Sequence, residues 1–509
     1  MIDASSFIFN ITNNEWFPAS QQREVMYLQQ IFPVLMAKAG AGLKQVMISY
    51  VINVYLLYYL IFIVIIALLK DPFSALLYLF VQISGSPYSY FLIAAEILPG
   101  SAIIILLIST LYNLEYTNKR YVNYLFSLII LFFTIRSHPL ITICLIAILA
   151  LMYVSKKELF VAHKNFFITF SIIGTAFILY KLFFINHYEL NYIKTSFLTI
   201  KFLLHNNWIL LVIFMAIAAL LGYLYYKFKP IVYITPYFLI ALAIILVAYI
   251  GGAWILSDSS FNKLIAEGKH EFINLVVYLF HGRLFFTLSI FVTVIYLTVN
   301  KQLKILLVYS TSLFIYSILL YSVMDFKGME IKPVYTLLSN NYSTIAHDTW
   351  GMPLRIIAFS GLLLIILPAY KLSKAIKFLT PVALISMILN FIIIDNIRAI
   401  SDAYIEQANT IIDSCRANEI SKAIISRSQL DEDIPVLDHV YQDILVLSSL
   451  RYDSSIHVIY APDDSIRKYM KIPEDYLILE QSADTTGIDE LNTKYYKIKE
   501  SEYIYLDIE

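Results

Sequence analysis

The chain has 509 residues, of which 59% are hydrophobic and only 15% charged, whereas soluble domains carry about a quarter charged residues. With a mean hydropathy of +0.71, this composition excludes a soluble globular protein, a disordered tail and a nucleic-acid binder. The formal charge is zero, yet residues 1–395 hold 26 Lys and Arg against 15 Asp and Glu, while residues 396–509 hold 11 against 22, so a basic membrane part precedes an acidic soluble one.

Residues 1–45 are polar and mixed and lack the basic start and apolar core of a signal peptide. The stretch from Gln29 to Lys44 is amphipathic and is predicted to lie in the membrane interface, with Trp16, Phe17 and Tyr27 as interfacial aromatics. Asp3, Glu15 and Glu24 are the acids of this segment. A partly desolvated carboxylate at the membrane surface has a raised pKa and can serve as a general base toward a lipid-borne substrate. The alternative is a polar arm in which Asp3 merely caps a helix.

A span needs roughly 20 apolar residues. Segments 46–69, 91–113, 164–183, 208–226, 231–250, 282–300, 304–323, 353–371 and 378–395 meet that need, and the shorter 72–84, 121–135 and 138–153 bring the expected count to twelve. Thirteen Lys and Arg, from Lys70 to Lys377, crowd one set of short loops, which is therefore expected to be cytoplasmic. The N-terminal segment, the loops at 184–207, 251–281 and 324–352, and the 396–509 tail then face outward. An outward, polar N-terminus either translocates unaided or follows a further span upstream of Met1, and the second is the expectation.

Three outer clusters carry ionisable groups. Arg136 and His138 lie in the turn RSHP between two short apolar segments, where a guanidinium suits a lipid phosphate; a snorkelling Arg beside a helix-start proline is the alternative. His281 and Arg283 open the ninth span, after a loop with Asp258, Glu267 and Glu271. His347, Asp348 and Arg355 precede the eleventh, with Trp350. Each could be an ordinary polar helix entrance; together they describe a basic, His-bearing outer rim. Walker A, GxGxxG, HExxH and GxSxG motifs are absent from the sequence. No span carries an interior pair of acids or a chain of His and Asp at mid-membrane, with Glu96 the main exception, which weakens an ion-coupled transporter.

The tail is expected to form a small α/β unit. Residues 396–428 have helical spacing and look like a continuation of the last span; 456–461, 476–480 and 495–508 read as strands. Cys144 and Cys415 offer neither a disulfide framework nor a metal knuckle.

This plan resembles the type C (GT-C fold) polyprenyl-phosphate-dependent glycosyltransferases: an outer loop with an acid near its start, helices of uneven length, and an outer C-terminal domain. The local likeness runs from Asp3 through EWFPASQQREVMYLQQIFPVLMAKAGAGLK. The resemblance implies an all-α polytopic membrane protein with about twelve transmembrane helices and a small C-terminal α/β domain, divided at 1–45, 46–395 and 396–509. It implies sugar transfer from a polyprenyl-phosphate donor to a lipid, glycan or protein acceptor, outside the cytoplasmic membrane of a bacterium. Asp3, with Glu15 as substitute, would be the catalytic acid or base; Arg136, His138, His281, Arg283, His347, Asp348 and Arg355 would contact donor phosphate or acceptor. No metal ligands are assigned, and the resemblance leaves room for a divalent ion. Asp3 is followed by Ala and Ser rather than a second acid, and no WWDYG-type motif occurs, which disfavours transfer of a whole glycan to Asn. An O-antigen polymerase or ligase-like enzyme, suggested by HGRLFF at 281–286 with its preceding Phe280, and a transporter or envelope scaffold are the alternatives.

Overall fold

The computed structural model describes residues 2–17, 23–85, 97–114, 120–183, 284–326, 352–366, 368, 402, 405–426, 440–452, 454–461, 470–478 and 485–506. Among them the chain is mostly helical, with a small sheet near the C-terminus. Spans expected at 208–226, 231–250 and 378–395 lie outside the described residues. The others coincide with helices to within a few residues.

The first helix, α1 (Ile2–Asn14), departs from the polar arm expected at the N-terminus. Phe7, Ile8, Phe9 and Ile11 are buried, so its apolar residues serve a packing face that a polar average concealed. After a single 3-10 turn at Glu24–Met26 comes α2 (Tyr27–Lys38), which ends on Gly40 at φ 81. There Gly40 N–H and Ala41 N–H bond the carbonyls of Ala37 and Met36, the paired closure that a left-handed residue permits. The chain then reverses into α3 (Leu43–Ile63), whose last turns widen into a π-helix at Val64–Leu68. Asn53 Nδ2 donates to Leu28 O at 2.8 Å and Gln29 Nε2 to the Tyr58 hydroxyl at 2.8 Å. These bonds hold α2 against the middle of α3.

Helices α4 (Pro72–Gly85), α5 (Ile97–Asn113), α6 (Arg120–Ile135), α7 (Pro139–Ser155), α8 (Lys157–Ala162) and α9 (Lys164–Phe183) follow. Asn113 at the end of α5 donates to Leu69 O at the end of α3, and Tyr124 near the start of α6 hydrogen-bonds His163 between α8 and α9 at 2.8 Å. The turns bearing Lys70, Lys156, Lys157 and Lys164 therefore share one end of the bundle. At 1.5 Å per residue, the 26-residue stretch Leu43–Leu68 is about 39 Å long, whereas the 16 residues of α6 reach only about 24 Å. The α6–α7 turn thus falls well short of the far end of α3.

Among the described residues, Leu43–Leu68 is the helix long and apolar enough to cross a membrane, and only 22% of its most apolar window is buried. Seven shorter apolar helices accompany it. Three later helices close the bundle: α10 (Leu284–Val299), α11 (Leu303–Phe326) and α12 (Met352–Ser360), the last running into a π turn at Gly361–Ile366. Gly361 is where this closure is tightest. A Cβ there would meet Thr293 Cγ2 at 2.5 Å and Tyr309 Cε2 at 2.7 Å, while the Tyr309 hydroxyl donates to Ala358 O at 2.9 Å.

In the tail, helix α13 (405–417) stops where the sequence pattern suggested that it continues to 428. Glu419 adopts φ 56, and its N–H and that of Ile420 bond the carbonyls of Arg416 and Cys415. This cap turns the chain into strand β1 (Lys422–Ser426). The β-branched pair Ile424–Ile425 is buried on both faces, so periodicity cannot separate strand from helix there. Helix α14 (Val440–Arg451) leads to β2 (His457–Ala461), which pairs parallel with β1. A separate antiparallel pair is formed by β3 (Tyr476–Ile478) and β4 (Thr485–Gly487). The closing segment contributes only β5 (Ile504–Tyr505), parallel to β1 on its other edge, giving the order β2-β1-β5. The expected α/β unit is present, with β1 in the place of the last helical turns.

The tail is not suspended from the bundle. Thr12 and Tyr496 share a hydrogen bond at 2.6 Å, Asn492 N donates to Asn13 Oδ1 at 2.7 Å, and the Tyr495 hydroxyl donates to Ala41 O at 2.9 Å. These contacts fasten it to α1 and to the start of α3, at the end opposite the lysine-bearing turns.

Gly361→Ala is expected to cost about 1–3 kcal/mol through overpacking. Gly174→Ala, whose added methyl meets nothing closer than Leu131 Cδ2 at 3.7 Å, should gain about 0.5–1 kcal/mol from helix propensity; thermal unfolding of the purified variants checks both. A second expectation concerns Lys422, whose ammonium donates to the carbonyls of Glu474 and Tyr476. Burial pulls it below the ordinary lysine value of 10.5, against the opposing charges of Asp475, Glu474 and Glu500. The unfolded chain then holds more protons than the folded one just below pH 10.5, so this group makes stability rise with pH there. Lys422→Met should flatten that rise, measured as unfolding midpoints across the alkaline range.

Candidate functional site

Helix α6 ends at Ile135, and α7 begins with Pro139 at its first position, where a missing N–H costs nothing. His138 is the N-cap: its Nδ1 accepts from Leu140 N–H at 3.3 Å. The turn between the helices therefore projects one guanidinium, that of Arg136, which is only 7% exposed. Glu24 meets it with both carboxylate oxygens. Arg136 Nε donates to Glu24 Oε2 at 2.7 Å, and Nη2 donates to Oε1. The backbone reinforces the contact, because Val25 N–H donates to Arg136 O at 3.3 Å. On another side the guanidinium lies 5.4 Å from the centroid of the Tyr180 ring, a cation–π separation.

The surrounding packing is close. In the first turn of α5, a Cβ on Gly100 would meet Ile141 Cγ1 at 2.9 Å and Ser137 at 3.1 Å. The first turns of α5 and α7 therefore converge on the Arg136 turn.

The sequence-derived candidates are distributed unevenly around this centre. Arg136 is in it, and His138 is two residues away, engaged as a helix cap. Arg355 is buried within α12, a helix tied to α7 by Cys144 Sγ donating to Pro353 O at 3.5 Å. Glu15 faces elsewhere: it follows α1 with φ 49, and its Oε1 accepts from Asn492 Nδ2 of the tail at 3.4 Å. Asp3 lies in the first turn of α1, about 18 Å along the helix from Glu15; its side chain lies outside the description. Asp3 and Glu15 sit at opposite ends of one helix, so they cannot substitute for each other at a single reacting atom. His281, Arg283, His347, Asp348 and Glu96, with the loop acids Asp258, Glu267 and Glu271, lie outside the described residues.

Glu24 is the residue that sequence reasoning underweighted. It was visible as an acid of the first segment, but its partner is 112 positions away, and no local spacing announces that pairing. Among the described residues no group of three His, Cys, Asp or Glu is placed to hold a metal ion. Cys144 and Cys415 are buried free thiols.

Comparison with protein-family models, with curated proteins and with solved structures yielded no match.

Breaking the pair from one side should be worse than removing it. Arg136→Leu leaves a largely buried carboxylate unpaired and is expected to cost about 3 kcal/mol, the lower end of the usual range because the Glu24 side chain is 19% exposed. The double variant Arg136→Leu with Glu24→Leu should recover most of that loss in denaturant unfolding.

Proposed function

We propose that this chain is an integral membrane glycosyltransferase of GT-C-like, about twelve-span plan. It moves a sugar from a polyprenyl-phosphate donor to a lipid, glycan or protein acceptor on the outer face of a bacterial cytoplasmic membrane. The membrane part of this reading is supported by α3. A core helix of a water-soluble protein would be mostly buried, but α3 carries a mean hydropathy of 2.6 over a window only 22% buried. Ile48, Ile52, Leu56 and Leu60 on it face outward, and acyl chains are the surroundings that suit them.

The observation that carries the enzymatic part is the Arg136–Glu24 pair between the N-termini of α5 and α7. Sugar transfer from a polyprenyl phosphate needs a cation for the leaving phosphate and a base, such as a carboxylate, to receive the acceptor proton. The pair holds one of each within hydrogen-bond reach. A donor phosphate reaching Arg136 competes with Glu24 for the guanidinium and releases the carboxylate. The acceptor oxygen then attacks the anomeric carbon as its proton passes to Glu24. The carbon–oxygen bond to phosphate breaks, and the phosphate departs with the electron pair against Arg136. Glu24 takes the role that the family resemblance assigned to Asp3.

Reconstituted protein offered undecaprenyl-phosphate-linked hexoses and pentoses tests this by release of undecaprenyl phosphate. Glu24→Gln is expected to lower turnover at least 100-fold while still retaining undecaprenyl phosphate. Arg136→Ala should lose that retention, and Glu15→Gln should keep full activity. Undiminished turnover in Glu24→Gln would overturn the assignment.

A further inference from the structure

Helix α2 has its polarity reversed. Gln29 and Gln30 are fully buried, while Ile31, Phe32, Leu35 and Met36 are exposed, Leu35 by 58%. A helix on a water-facing surface carries the opposite arrangement. The Gln29 amide donates to Tyr58 and α3's Asn53 donates to the Leu28 carbonyl, while Gln29 Oε1 is buried with no hydrogen-bond partner. The outward side chains extend the apolar face of α3 at Ile48, Ile52, Tyr55 and Leu56. At one end of the pair Lys38 and Lys44 are exposed, and Lys38 Nζ lies 4.0 Å over the Trp16 ring. Trp beside Lys is the composition of a membrane–water boundary.

We infer that α2 is not an interfacial helix lying flat but a re-entrant one. It dips into the outer leaflet antiparallel to α3, its outward face covered by lipid acyl chains. The inference rests on the membrane reading above, not on glycosyl transfer. Non-spanning backbone survives at membrane depth only where protein satisfies it. At the inner end of α2 two backbone groups are held in this way: Val25 N–H bonds Arg136 O and Met26 N–H bonds Arg23 O. The consequence is a depth for the candidate base. Glu24 lies 14 residues from Lys38, roughly 20 Å along the chain if the whole stretch is taken as helix, so the polar centre opens to lipid-borne rather than water-borne ligands.

Nitroxide labels test this in the full-length protein reconstituted in phosphatidylglycerol–phosphatidylethanolamine bilayers. Cys144 and Cys415 are both buried, and burial pushes the Cys415 thiol up to about 12, so neither competes for label. Leu35→Cys and Leu60→Cys should relax several-fold more strongly with oxygen than with a water-soluble nickel chelate; Lys38→Cys should do the reverse. Nickel access at Leu35, or access by neither reagent, with Leu60 still oxygen-facing, overturns the re-entrant placement and leaves the membrane reading intact. Nickel access at both Leu35 and Leu60 overturns the membrane reading as well.

Discussion

Glu24 and Arg136 hold together parts of the chain that nothing local would join. The pair fastens the start of α2 to the α6–α7 turn, and through that turn to the first turn of α5. Removing a carboxylate and a guanidinium from water is costly unless each satisfies the other, so burial of one demands the presence of the other. Two fork-like hydrogen bonds also set direction, not merely proximity. With this corner fixed, α2 can run only back along α3, and its two glutamines must turn inward.

The bundle follows from that constraint and from a second one, the turning inward of polar groups on α2, α3 and α4. Asn53, Gln29 and Tyr78 turn toward one another's helices, with the Tyr78 hydroxyl donating to Tyr58 O at 2.9 Å. Isoleucines and leucines of α2 and α3 turn away. The π turns at Val64–Leu68 and Gly361–Ile366 are local concessions to such packing; at Gly361 the neighbouring Thr293 and Tyr309 leave no room for a side chain. Rigid closure around one charged pair is the condition for a site that holds charge before a substrate arrives.

The acidic tail is a unit with its own core, centred on Ile424, Ile425, Val458 and Ile459, yet Asn492, Tyr495 and Tyr496 bind it to α1 and to the turn before α3. The segment that supplies Glu24 is therefore held between the bundle and the tail. The charge division between the first 395 residues and the last 114 is not a clean division of cores, because Leu445, Val446, Leu477, Leu491, Tyr495 and Tyr496 of the tail pack into the core of the bundle.

Read alone, the sequence determined the hydrophobic segments, most of the helix limits, the gathering of lysines in one set of turns and the strands at His457–Ala461 and Tyr476–Ile478. These are local properties, set by runs of apolar residues and by turn chemistry. It also singled out Arg136, because an arginine between two short apolar segments is costly wherever it sits. What only the tertiary structure decided was long-range. Glu24 rather than Asp3 or Glu15 meets Arg136; α1 is buried rather than a free arm; 422–426 is the central strand of a parallel sheet. In each case the deciding interaction joins residues far apart in the chain, as with Lys422 opposite His457, or Glu24 opposite Arg136. Composition and periodicity report which side chains want burial; only the folded chain decides which partner each one finds.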